Sequence, residues 1–156
     1  MDNINKKELK VSALENGTVI DHIPARALFH AIRILDLDKE MVNQVYFGTN
    51  LSSGKYGKKG IIKVRDRYFE SNEISKIALV APTATLIEIK GFEVVKKTRI
   101  DIPTEVNNFV KCFNPKCITN HQAVPTKFKV ITDGGELKLK CHYCEKTTTK
   151  DTMVFK

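Results

Sequence analysis

The chain has 156 residues, 42% hydrophobic and 28% charged, with no Trp and 8% aromatics. That length suits one ordinary domain or two small ones; the balance excludes a disordered chain, and so few aromatics give no sign of a base-stacking platform. Lys and Arg number 26 against 18 Asp and Glu, a formal charge of +8, which points to a polyanionic partner without choosing among nucleic acid, nucleotide, phosphorylated metabolite and acidic protein.

The opening "MDNINKKELKV" lacks the apolar core of a signal peptide. The longest apolar stretch, "IALVAPTATLI", is too short to cross a bilayer and is interrupted by Pro82. A cytoplasmic chain with no membrane partner is therefore expected, and structural disulfides are disfavoured in that compartment.

Taken in order, "ELKVSAL" and "TVIDHI" read as strands on either side of a turn at Glu15-Asn16-Gly17. Pro24 can open a helix at its first turn. Behind it Ala27, Leu28, Ala31, Ile32 and Leu35 keep a helical apolar stripe. "MVNQVYFG" and "GIIKVRD" are strand-like, separated by an expected loop, "TNLSSGKYGKK". A second helix through "EISKIALVA" takes its cap from Ser71 or Asn72. "TATLIEI" and "FEVVKK" then form a hairpin around Lys90-Gly91. The order ββ-α-ββ-α-ββ fits an α+β, ferredoxin-like antiparallel sheet with two helices on one face.

Composition changes near residue 100, since all four cysteines come after it. "TRIDIPTEVNN" bridges the parts, with Pro103 and the Asn107-Asn108 pair as linker signals. We expect domains at 1–102 and 103–156, the second small and all-β.

Within that second domain, Cys112 and Cys117 form one closely spaced pair, Cys141 and Cys144 another. Two such pairs suit one tetrahedral Zn2+ with four thiolates, brought together by the hairpin "KFKVITDGGELKLKC" with Asp133-Gly134 at its tip. The alternatives are disulfides, a redox pair, or buried free thiols. The compartment opposes the first, and "CHYC" lacks the βαβ setting of the second. His121 and His142 are not needed as ligands. A closed four-thiolate shell leaves no open position for substrate, so the metal is structural.

Residues 55–67 carry Lys55, Lys58, Lys59, Lys63, Arg65 and Arg67 against only Asp66. If 59–65 is a strand, Lys59, Ile61, Lys63 and Arg65 share a face, suited to phosphates with an apolar contact between them. The competing reading is a solvated edge strand guarded by lysines. The glycines here lack P-loop spacing, so ATP hydrolysis has no support. Asp21 sits beside His22, but no nucleophile motif accompanies them. Neighbours in a strand also point to opposite faces, which argues against a catalytic dyad.

"GTVIDHIPA", "NLSSGKYGKKGIIKV", "LVAPTATLIEIKGFEVVKK" and the cysteine tail, in this order and spacing, resemble the regulatory chain of aspartate carbamoyltransferase over nearly the whole length. The resemblance implies a non-catalytic subunit of pyrimidine biosynthesis, with a nucleotide-binding allosteric domain and a zinc domain that docks on the catalytic chain. It implies CTP and UTP as inhibitors, ATP as activator, a regulatory dimer formed through the first domain, and no nucleic-acid partner. Carried onto this sequence, Asp21 lies near the ribose and His22 near the phosphates, with Lys59, Lys63 and Lys97 as cations. Val11, Ala13, Leu14, Val19, Ile61, Ile89 and Val94 line the base and ribose pocket. Ile87 and Phe92 stand where the family often has Asn and Tyr, removing hydrogen-bonding groups near the base. Asn114 and Glu145 match positions that face the catalytic chain. The rivals are a zinc-ribbon nucleic-acid-binding protein, which predicts steeply salt-dependent affinity, and a small enzyme acting on nucleotides, for which no nucleophile is evident.

Overall fold

In the computed structural model, residues 13–54, 57–134 and 136–156 are described. They fall into two compact units, the first ending at Ile100 and the second beginning at Asp101. The expected opening strand, "ELKVSAL", lies outside the described residues except for Ala13 and Leu14.

Strand β1 (Gly17–Pro24) leads through a single 3-10 turn, Ala25–Ala27, into helix α1 (Leu28–Ile34). Pro24 therefore ends the strand and caps that turn, one step before the α-helix. Strands β2 (Val45–Ser53) and β3 (Gly57–Arg65), helix α2 (Ser71–Val80), and strands β4 (Thr85–Lys90) and β5 (Glu93–Arg99) follow. The sheet order is β2-β3-β1-β4-β5 with every neighbouring pair antiparallel. Its first four members give the ferredoxin-like split βαβ order.

Alternation along β3 separates the two faces of the sheet. Gly60, Ile62 and Val64 are buried, while Lys59, Ile61 and Lys63 are half-buried on the other face. The buried set packs beneath α1: a Cβ at Gly60 would sit 3.0 Å from Leu28 Cδ1, so the small residue lets helix and strand approach. All five residues of the expected apolar stripe, Ala27 to Leu35, are buried. With Ile20, Ile23, Ile77 and Leu79 they form the core.

Three local expectations change. Most of "TNLSSGKYGKK" is strand and not loop, because β2 runs on to Ser53 and β3 already begins at Gly57. A bulge between Gly48 and Leu51, with Asn50 at φ 57°, resets the register so that Leu51, Ser52 and Ser53 still pair with Lys59, Lys58 and Gly57. Helix α2 is capped at Glu70, not Ser71 or Asn72. The Glu73 carboxylate accepts the Glu70 amide at 3.1 Å and also meets Arg67 at 2.7 Å, which draws the helix start one residue earlier. Finally, β3 lies between β2 and β1 and is not an edge strand.

The second unit contains β6 (Glu105–Asn107), β7 (Val110–Lys111), β8 (Lys127–Asp133), β9 (Glu136–Cys141), β10 (Thr147–Thr149) and β11 (Val154–Phe155). These form a four-stranded sheet, β10-β9-β8-β6, and a two-stranded ribbon, β11-β7. Asp133 pairs with Glu136, and Gly134 takes φ 58° at the hairpin tip. Phe128, Leu139, Val106 and Val110 are almost fully buried. Among the described residues no helix is long and apolar enough to cross a membrane.

Candidate functional site

Antiparallel register places facing residues on the same side of a sheet. Lys63 pairs with Val19, Val19 with Ile87, and Ile87 with Lys97. One row therefore crosses four strands as Lys-Val-Ile-Lys on the face opposite the helices. The next row carries Gly17 opposite Ile89, and Ile89 opposite Val94. Ile61 lies between Lys59 and Lys63 on the same face. Ten residues expected together from the sequence thus share one surface or its rim, counting Lys59, Asp21 and Phe92 described below. Val11 lies outside the described residues.

At one end of this surface, β1 breaks its alternation. The β1–β3 register shifts between Ile20 and Ile23, and His22 takes φ 58°. The His22 amide donates to Asp21 Oδ1 at 2.7 Å, and Thr83 Oγ1 donates to the His22 carbonyl at 2.9 Å. The rule that neighbours point to opposite faces fails at this bulge, and His22 Nδ1 comes within 4.0 Å of Asp21 Oδ2. Lys59 Nζ lies 2.9 Å from Asp21 Oδ1, with both side chains largely enclosed. Burial pushes the Asp21 carboxyl up, but the Lys59 ammonium and the His22 amide outweigh it and hold the group below the usual aspartate range. An ionised acceptor beside a cation is suited to holding a hydroxyl and an anionic group together.

At the other end, a cleft of about 250 Å³ is lined by Ala13, Leu14, Glu15, Tyr46, Arg65 and Phe92. Phe92 occupies the two-residue hairpin loop between Lys90 and Glu93, at φ 66° after Gly91 at φ 60°. This is an unfavourable backbone region for a large residue. The loop is held there from outside: the Phe92 amide donates to Glu15 O at 2.9 Å and the Gly91 amide to Asn16 Oδ1 at 3.1 Å. Gly17, which follows Asn16, has no room for a side chain, since a Cβ there would lie 2.1 Å from Val64 O. Tyr46 and Arg65 were not expected in the site. Strand parity puts Arg65 on the lysine face, which was the available clue.

Arg67, part of the same basic run, belongs elsewhere. It bridges Glu40 at 3.3 Å and Glu73 at 2.7 Å and lies 4.8 Å over the Phe69 ring. A larger cleft of about 380 Å³ opens on the helix side, lined by Glu70, Glu88, Lys96 and neighbours. It contains none of the expected residues, and Lys96 faces Glu88 at 3.8 Å.

In the second unit, the Cys112, Cys117, Cys141 and Cys144 sulfurs lie within 4.8 Å of one another, three of the residues being buried. The Cys112–Cys144 and Cys117–Cys141 sulfur separations are 3.6 and 3.7 Å. A tetrahedral Zn2+ with Zn–S of about 2.3 Å requires sulfurs roughly 3.8 Å apart, so the cage fits that ion. Burial pushes the Cys112 and Cys141 thiols up; a bound cation would reverse this by favouring the thiolates. Backbone bonds fix the two turns: Cys117 N to Asn114 O at 3.0 Å, and Glu145 N to Cys141 O at 3.0 Å. Asn120 Nδ2 donates to both Cys112 O and Asn114 O. His121 Nε2 contacts Pro115 O, and neither His121 nor His142 joins the sulfur cluster. Glu145, at φ 62°, and half-buried Asn114 sit on the turns themselves, beside exposed Phe113, Ile118 and Tyr143.

Comparison with known proteins agrees with this geometry. Residues 9–101 match the family described as aspartate carbamoyltransferase regulatory chain, allosteric domain; residues 104–154 match the metal binding domain of the same chain. The aspartate carbamoyltransferase regulatory chain of Parabacteroides distasonis is 47% identical over 151 residues, covering 97% of each chain. That of Phocaeicola vulgatus is 50% identical over 147 residues and 94% of each chain. That of Thermococcus sibiricus is 47% identical over 148 residues, 95% of this chain and 97% of its own. The chain belongs to the aspartate carbamoyltransferase regulatory chains, with an allosteric domain and a metal-binding domain.

Proposed function

We propose that this chain binds nucleoside triphosphates on the open sheet face of its first unit and relays their binding to catalytic chains through its zinc-bearing second unit. It catalyses nothing itself. The observation that carries the reading is the row of Lys63, Val19, Ile87 and Lys97 on one face, leading to the Asp21–Lys59 pair. Lysines act as point charges for phosphates, and Asp21 accepts from ribose hydroxyls. Val19, Ile61, Ile89 and Val94 offer apolar contact to the sugar and base, with Ala13, Leu14 and Phe92 at the base end.

CTP and UTP would inhibit and ATP activate, each by binding one quaternary state better than the other. Such coupling is typically about 1–3 kcal/mol. The first unit would pair with a second copy of the chain. The catalytic chain would dock on the turns of the zinc cage, where Asn114 and Glu145 adjoin the exposed Phe113, Ile118 and Tyr143. The reading places the protein in the cytoplasm, in pyrimidine biosynthesis.

Calorimetric titration of CTP, and separately ATP, into the zinc-loaded chain tests the first step. One saturable site is expected, lost in Lys59→Ala. Heats unchanged by that substitution would contradict the reading.

A further inference from the structure

Arg65 belongs to the basic run but has no role in the site described so far. It is half-exposed and ends β3 opposite Gly17, which in turn lies opposite Ile89. Arg65 Nη1 donates to Gln44 Oε1 at 3.1 Å, and Tyr46 OH donates to the same oxygen at 3.0 Å. The Arg65 amide also bonds Gln44 O at 2.9 Å. Asp66 Oδ2 lies 3.9 Å from Arg65 Nε. A guanidinium carries five N–H donors, so Gln44 orients the group while leaving donors for a ligand. Arg65 and Tyr46 line the cleft together with Ala13, Leu14, Glu15 and Phe92.

The two ends of the face differ in chemistry. The Asp21–Lys59 end is ionic, whereas the Arg65 end is a cleft in which Ala13, Leu14 and Phe92 stand beside Glu15, Tyr46 and the oriented Arg65. Asp21 and Gly17, the latter level with Arg65, are four residues apart on β1, or about 13 Å at the strand rise. A nucleotide separates its phosphates from its base over a comparable span. Ile87 and Phe92 present no hydrogen-bonding side-chain atom to a base, so the polar reading of its edge must come from elsewhere.

We infer that Arg65, oriented by Gln44 and Tyr46, is the residue that reads hydrogen-bond acceptors on the nucleotide base, acting on the base and not on the phosphates. The inference rests on the nucleotide reading above and makes Arg65 a specificity-determining residue. A pyrimidine offers its 2-keto oxygen and, in cytosine, N3 as acceptors for such a donor. Glu15 also lines the cleft, but an ionised carboxylate only accepts and cannot donate to those atoms.

The test compares CTP with inorganic tripolyphosphate, which has the phosphates and no base, on the zinc-loaded full chain. Arg65→Gln should weaken CTP by about tenfold or more, the worth of a hydrogen bond from a charged donor. Tripolyphosphate affinity should stay unchanged. Gln44→Ala should weaken CTP by a smaller factor in the same selective way, and Lys59→Ala should weaken both ligands. Equal loss of both ligands in Arg65→Gln would make Arg65 a phosphate cation and overturn the inference, as would unchanged CTP binding. If the wild-type chain binds neither ligand, the nucleotide reading itself fails and this one falls with it. Thermal melts of Arg65→Gln distinguish a lost contact from a lost fold.

Discussion

The two units of this chain hold themselves together by different means. The first buries Ile20, Ile23, Leu28, Ile62, Ile77 and Leu79 between a five-stranded sheet and two helices, and its sheet face opposite the helices carries the cations. The second has Phe128, Leu139, Val106 and Val110 as its fully buried large apolar side chains, beside four clustered cysteines. About fifty residues bury too little apolar area to offset the entropy of ordering them, so in the second unit the metal supplies what packing cannot. A sheet with a packed core can leave one face open for a ligand. A unit held by its metal keeps that metal fully ligated.

Breaking that contrast gives the largest expected effect. Chelation, or Cys112→Ser, should unfold the second unit while the first stays folded, because structural zinc in small modules is worth on the order of 10–16 kcal/mol. Amide dispersion in a two-dimensional NMR spectrum would show which half collapses. Ile62→Ala should do the converse, lowering the stability of the first unit by about 2–5 kcal/mol, since Ile62 is fully buried beneath α1. The zinc-bound resonances should then survive the first melting transition.

Smaller changes sharpen the picture within the first unit. Glu73→Ala removes both the acceptor for the Glu70 amide and the partner of Arg67. A loss of about 1 kcal/mol is expected, read as an earlier denaturant midpoint with unchanged slope. Asp21→Asn should change stability by at most about 1 kcal/mol near neutrality, the scale of a partly exposed pair. Its signature is pH dependence. The folded Asp21 value is lowered from 3.8, so its contribution is present above that pH and fades as acid titrates the folded carboxylate below it. Wild type should therefore lose more of the first unit's Tm than Asp21→Asn as pH falls below 3.8.

Much of this was legible in the sequence because period-two alternation and paired cysteines are local signals. Lys59, Ile61 and Lys63 fell on one face as counted, and the cage of four sulfurs followed from spacing. What could not be read depends on a break in local regularity. The bulge at Asp21–His22 brings together two side chains that strand parity separates, and the bulge at Asn50 extends two strands through a stretch rich in glycine, serine and lysine. Glu70 caps α2 through a reciprocal box with Glu73, which Arg67 also holds; Glu is not among the residues favoured at a helix cap, so Ser71 and Asn72 drew the expectation instead. Arg65 was visible on the lysine face, but its link to Gln44 and Tyr46 needs the neighbouring strand.

The most direct test of the regulatory reading is the aspartate-saturation curve of catalytic trimers reconstituted with this zinc-loaded chain, measured with and without CTP. CTP should shift the curve only when the chain is present, and Lys59→Ala should abolish the shift while leaving the complex assembled. A shift of equal size in isolated trimers, or one that persists in Lys59→Ala, would contradict it.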